Sequence, residues 1–147
     1  MTRPDNEETS DMKTFTLAAA FSLTASAALA AGHALAPAVM ASNQSTGGGT
    51  VTAEKVNASA NGWLVVHRTD GSKPGPVVGH APIRTGENLD VSAILTEEVK
   101  PGEMLMLMVH GEAGGNQTGI FEYSLGAKED GPVKPDGKLV MTIITAE

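Results

Sequence analysis

Cysteine is absent from the 147-residue chain. Without it there is no disulfide to staple an extracellular fold, no thiolate metal ligand and no N-terminal thiol to carry a lipid. A blue-copper electron-transfer centre is excluded as well, because its copper is held by a Cys thiolate. Aromatic residues are scarce at 3%, and two of the three Phe, Phe15 and Phe21, lie in a segment expected to be removed. The core therefore rests on Val, Leu, Ile and Met. Positive charge is also in deficit, with a formal net charge of -7. Such a surface lacks the basic footprint that nucleic acid or anionic lipid requires, so neither is expected as a partner.

Catalytic patterns are missing too. The sequence has no Gly-x-Ser-x-Gly elbow, no His-Glu-x-x-His, no phosphate-binding loop and no Gly-x-Gly-x-x-Gly. A non-catalytic module is expected. A small hydrolase built on isolated His, Asp and Ser residues is the remaining enzymatic reading.

The N-terminal region carries an export signal. Met12 and Lys13 precede Phe15 to Leu29, an uncharged stretch of Ala, Leu, Phe, Ser and Thr, and Ala28-Leu29-Ala30 supplies the small-x-small exit. The run is too weakly apolar for a stable membrane span, which needs about 20 strongly apolar residues. Residues 1–30 are thus expected to be a cleaved signal peptide, leaving no stable span, with a periplasmic or extracellular destination. Asp5, Glu7, Glu8 and Asp11 place acid where such a signal wants base, which points to Met12 as the start of translation.

Residues 31–49 are small and polar and read as a flexible tail. From residue 50 to 147, apolar runs alternate with turn signals: 50–56, 62–68, 76–83, 87–95, 104–111, 119–123 and 138–145. Asn61-Gly62, Asp70-Gly71, Pro101-Gly102 and Asp136-Gly137 supply the backbone angles of tight turns. Seven short antiparallel strands in about 100 residues predict an all-β domain, a single immunoglobulin-like sandwich. In the fourth run, Leu89, Val91, Ala93 and Leu95 alternate with Asn88, Asp90 and Ser92, as in a strand with one wet face.

The run Gly62-Trp63-Leu64-Val65-Val66-His67, then Gly79, His110-Gly111-Glu112 and Asp130-Gly131-Pro132 resemble the motifs of a family of exported domains, domain of unknown function 7282. Glu112 stands where the family pattern has Asp. The resemblance spans roughly residues 50–147 and implies the β fold and export, with no assigned activity.

Histidine and methionine supply the candidate ligands. His67, His80 and His110 fall near predicted strand ends and could share a metal if those ends meet; a lone His in a strand is more often a hydrogen-bonded structural residue, the favoured reading for His67 and His80. Cleavage after Ala30 would leave Ala31-Gly32-His33, a free amine with His third, which suits square-planar Cu(II). In Met104-Leu105-Met106-Leu107-Met108-Val109-His110, strand geometry sends Met104, Met106, Met108 and His110 to one face. Thioethers and an imidazole are soft ligands for Cu(I). The family resemblance puts the Leu face in the core and leaves the Met face exposed or covered by a partner. The simpler alternative is that Met fills gaps in an aromatic-poor core with both faces buried. The 112–118 loop, poor in oxygen ligands, reads as a hairpin tip, and three Asn-x-Ser/Thr triplets as surface polar residues. The expected function is a structural or ligand-binding module with no cofactor, its partner an unidentified protein or small ligand. Copper binding through His33, Met104, Met106, Met108 and His110 is the alternative.

Overall fold

The computed structural model describes residues 35–147. The expected signal peptide and His33 lie outside the described residues. Seven strands follow in order: β1 (Ala38–Met40), β2 (Thr50–Ala58), β3 (Gly62–Thr69), β4 (Pro74–Ile83), β5 (Gly86–Leu95), β6 (Met104–Gly111) and β7 (Met141–Thr145). All pair antiparallel, so the domain is all-β as expected. Their hydrogen bonding runs through one sheet in the order β1-β2-β5-β4-β3-β6-β7.

That sheet is nearly closed. Beyond β1, Gln44 bridges Ala146, with the Glu147 amide donating to the Gln44 carbonyl at 2.9 Å. The tie is reinforced where the Thr145 amide donates to Asn43 Oδ1 at 2.8 Å. The weakest seam is β4 against β5, paired only at Gly79↔Leu95 and His80↔Ile94. Gly79 makes even that approach feasible, since a Cβ there would stand 2.8 Å from the Ile94 carbonyl oxygen.

Three sequence expectations are corrected. The tail expected to be flexible to Gly49 contains β1, whose Val39 is buried, and Thr46, whose buried hydroxyl donates to the Val99 carbonyl at 2.9 Å. The segment 35–41 is apolar but short, rich in Ala and interrupted by Pro37, so it shows no alternation, and the partners that order it and Thr46, β2 and Val99, lie further along the chain. The run 119–123 forms no strand; it belongs to the long connection between β6 and β7. Leu89 is 60% exposed although it shares the parity of Val91 and Ala93. Asp90 takes a positive φ of 50°, which breaks the alternation, and the inward set of β2 shifts phase opposite it, from Val51 and Ala53 to Val56 and Ala58.

The core lies on one face of the sheet. Leu64 and Val66 of β3, Leu105, Leu107 and Val109 of β6, and Val51, Ala53, Val56, Val78, Ala93 and Ile144 fill it. The opposite face of β3 and β6 carries Trp63, Val65, His67, Met106, Met108 and His110, all buried. Two central strands thus bury both faces, which explains their near-continuous apolar sequence.

Candidate functional site

β3 and β6 run antiparallel with His67 opposite Met106, Val65 opposite Met108 and Trp63 opposite His110. His67 and His110 therefore start four residues apart in register, about 13 Å along the strands. Their side chains lean toward each other across the Val65–Met108 pair, and the two Nε2 atoms meet at 3.2 Å. Both residues are fully buried. The rings lie 5.3 Å apart at 29°.

The second nitrogen of each ring settles its proton. His67 Nδ1 lies 2.7 Å from the Gly75 carbonyl and His110 Nδ1 2.7 Å from the Asp130 carbonyl. A carbonyl only accepts, so each Nδ1 carries hydrogen and donates. In the neutral rings both Nε2 atoms then present lone pairs, aimed at one another. Burial lowers the pKa of His67, against an opposing contribution from the Gly75 carbonyl. For His110, burial lowers it to about 4, helped by the positive charge of a protonated His67 and opposed by the Asp130 hydrogen bond. Both rings are accordingly neutral at pH 7.

The covering layer comes from the 29 residues between β6 and β7, a length that points to a functional loop. Tyr123 sets its ring edge-on to His110 at 4.5 Å and to His67 at 6.0 Å. Phe121 packs on Trp63 at 5.5 Å and stacks on His80 at 4.4 Å. Asp130 anchors the layer. Its carboxylate accepts from the Ala113 amide at 3.1 Å and from the Glu122 amide at 2.9 Å. Its own amide donates to the Ala113 carbonyl at 2.8 Å.

Residues 37–147 match the family described as Domain of unknown function (DUF7282). The chain belongs to that family. The DUF7282 match begins before residue 50, in agreement with β1 as part of the domain. Searches of curated proteins and of solved structures find no match. Within the DUF7282 domain the resembling motifs converge: His67 lies near the end of β3, His110 near the end of β6, and Asp130 of Asp130-Gly131-Pro132 holds His110 from the loop.

Of the candidate ligands, His67, His110, Met106 and Met108 share one buried face. The expectation that the Met face is exposed or covered by a partner is corrected: Met106 and Met108 are buried within the chain itself. Met104 is half-buried at the far end of β6, opposite Thr69 and against Gly71, away from His110. His80 lies at the exposed rim, stacked on Phe121, with its pKa lowered by partial burial. The sequence reading missed Phe121, Tyr123 and Asp130 as parts of the site. Their signal was available: Phe121 and Tyr123 are two of the three aromatics from residue 50 onward, two positions apart.

Proposed function

We propose that the DUF7282 domain of this chain is an exported, non-catalytic module that binds a small ligand at the His67–His110 cluster beneath the loop joining β6 to β7. One observation carries the reading. Two fully buried imidazoles, each locked by a main-chain carbonyl on Nδ1, direct their Nε2 lone pairs at one another across 3.2 Å. Buried polar atoms normally find partners, and facing acceptors repel. A ligand that accepts both lone pairs relieves that conflict, and β3, β6 and Asp130 hold the rings ready for it.

A binding role suits the cluster better than catalysis. Both Nδ1 atoms are held by carbonyls instead of the carboxylate that orients a histidine base, and neither Nε2 is hydrogen-bonded to a hydroxyl among the described residues. Export is supported by the signal-like residues 12–30.

Native mass spectrometry of protein purified from an exporting host tests the reading. A bound species of defined mass is expected, and it should be lost from His67→Asn and His110→Asn. Asn keeps an amide donor near the position of Nδ1 while removing Nε2. No bound species in any of the three proteins, or the same one in all of them with equal thermal stability, under every purification condition, overturns it.

A further inference from the structure

We infer, on the reading that the His67–His110 cluster is a ligand site, that its ligand is Cu(I), held by Nε2 of His67, Nε2 of His110 and the thioether of Met108. The first support is distance. Metal–imidazole bonds of about 2.0–2.1 Å spanning the observed 3.2 Å between the Nε2 atoms enclose an angle of about 100–106°, close to tetrahedral. The separation of the two nitrogens is that of two donors sharing one ion.

The second support is the state of the donors. A ligating imidazole normally donates its other nitrogen to a carbonyl or carboxylate, which fixes the tautomer and the ring direction. His67 and His110 both do so, through Gly75 and Asp130. Because each Nε2 is already bare in the neutral ring, binding at pH 7 displaces no proton from either.

The third support is the identity of the remaining donors. Among the described residues no group of three or more His, Asp or Glu is placed to hold a metal. The carboxylate of Asp130, whose carbonyl holds His110, is committed to the amides of Ala113 and Glu122. A third ligand has to come from the face the two rings lean across. Val65 and Met108 form the pair beneath them, and Met108 is the one with a donor atom; Met106, opposite His67, stands next to it. Both are buried.

Thioether selects Cu(I) over the hard divalent ions. Charge points the same way. Three neutral donors in an apolar site leave the ion's charge uncompensated, a burden far smaller for a monovalent than for a divalent cation. Tyr123 and Phe121 above the rings keep water away, which further favours the reduced ion. The chain has no thiolate, so this is a neutral-ligand site distinct from any blue-copper centre.

The test is anaerobic titration of the full chain with Cu(I) against bathocuproine disulfonate, with parallel Zn(II) titrations, on wild type, His67→Asn, His110→Asn and Met108→Leu. One equivalent of Cu(I) should bind to wild type. Each His variant should lose more than about 100-fold in affinity, beyond what removal of an orienting partner costs. X-ray absorption should give two nitrogens and one sulfur, with the sulfur absent in Met108→Leu. Circular dichroism of each variant must match wild type; if a His variant misfolds, the sulfur signal in the conservative Met108→Leu pair decides. Cu(I) binding of equal strength in the His variants overturns the site. Zn(II) held tightly with the same His dependence, and no Cu(I), overturns the copper assignment while leaving a ligand site in place. No metal bound in any titration overturns copper, and the mass-spectrometric comparison then decides whether the cluster binds anything.

Discussion

Asp130 holds His110 with its main chain and the loop with its side chain. Its carbonyl accepts from His110 Nδ1 at 2.7 Å, and its two carboxylate oxygens accept from the Ala113 and Glu122 amides. One buried residue thereby couples the direction of an imidazole to the closure of the layer above it. Replacing Asp130 by Ala strips two amides of a charged acceptor, and such bonds contribute about 1.5–3 kcal/mol each. A destabilisation of about 3 kcal/mol is expected in urea unfolding. Proteolysis between residues 113 and 129 should accelerate in parallel, and unchanged cleavage would remove Asp130 as the anchor.

Stability should fall as pH falls. His110 has a depressed pKa in the folded chain, about 4 against 6.5 unfolded. Between those values the unfolded state binds the proton and the folded state does not. Stability from this group is therefore complete above pH 6.5 and lost progressively down to about pH 4, roughly 3 kcal/mol in all. The groups facing it are His67, the Tyr123 and Phe121 rings and Asp130. Urea midpoints of metal-free protein at pH 7.5 and 4.5 should differ accordingly, and the difference should shrink in His110→Asn. A flat profile in wild type would contradict the burial of a neutral ring.

Gly62 lets β3 approach β6 where His110 sits. A Cβ at that position would fall 2.2 Å from the His110 carbonyl oxygen, a main-chain atom with no room to move aside. Gly62→Ala should destabilise the domain by about 2 kcal/mol or more, as overpacking in a tight interior does. Thermal unfolding measures it, and a shift of less than about 2 °C would show that the strands tolerate the wider spacing.

Trp63 is 6% exposed and packs against Phe121 and His80. Trp63→Ala should cost about 3–5 kcal/mol. Its indole nitrogen has no hydrogen-bond partner among the described residues, so Trp63→Phe forfeits no bond seen there and should cost less than about 1.5 kcal/mol. Equal losses in the two variants would mean that the indole nitrogen is bonded in solution.

The extents of β3, β5 and β6 could be read along the chain almost to the residue, because each is bounded by local signals such as Asn61-Gly62 and Pro101-Gly102. Turn geometry depends on a few neighbouring residues, and so does the parity that places Met106, Met108 and His110 on one face. The same parity misled at Leu89, since a single positive φ at Asp90 reverses it.

The absence of thiolate was determined by residue types alone, because composition limits which bonds a chain can build, and the all-β class by the short apolar runs set between turn signals. Pairing between distant segments was decided only by the tertiary structure. Ala38–Met40 becomes a strand because Lys55–Asn57 lies beside it, and 119–123 does not because its aromatics turn inward onto imidazoles. His67 and His110 are 43 residues apart in sequence, and no local pattern states that their Nε2 atoms meet. That contact follows from the β3–β6 register and from two carbonyls, of Gly75 and Asp130, which aim the rings, and such long-range geometry is set by packing and not by any neighbouring residue.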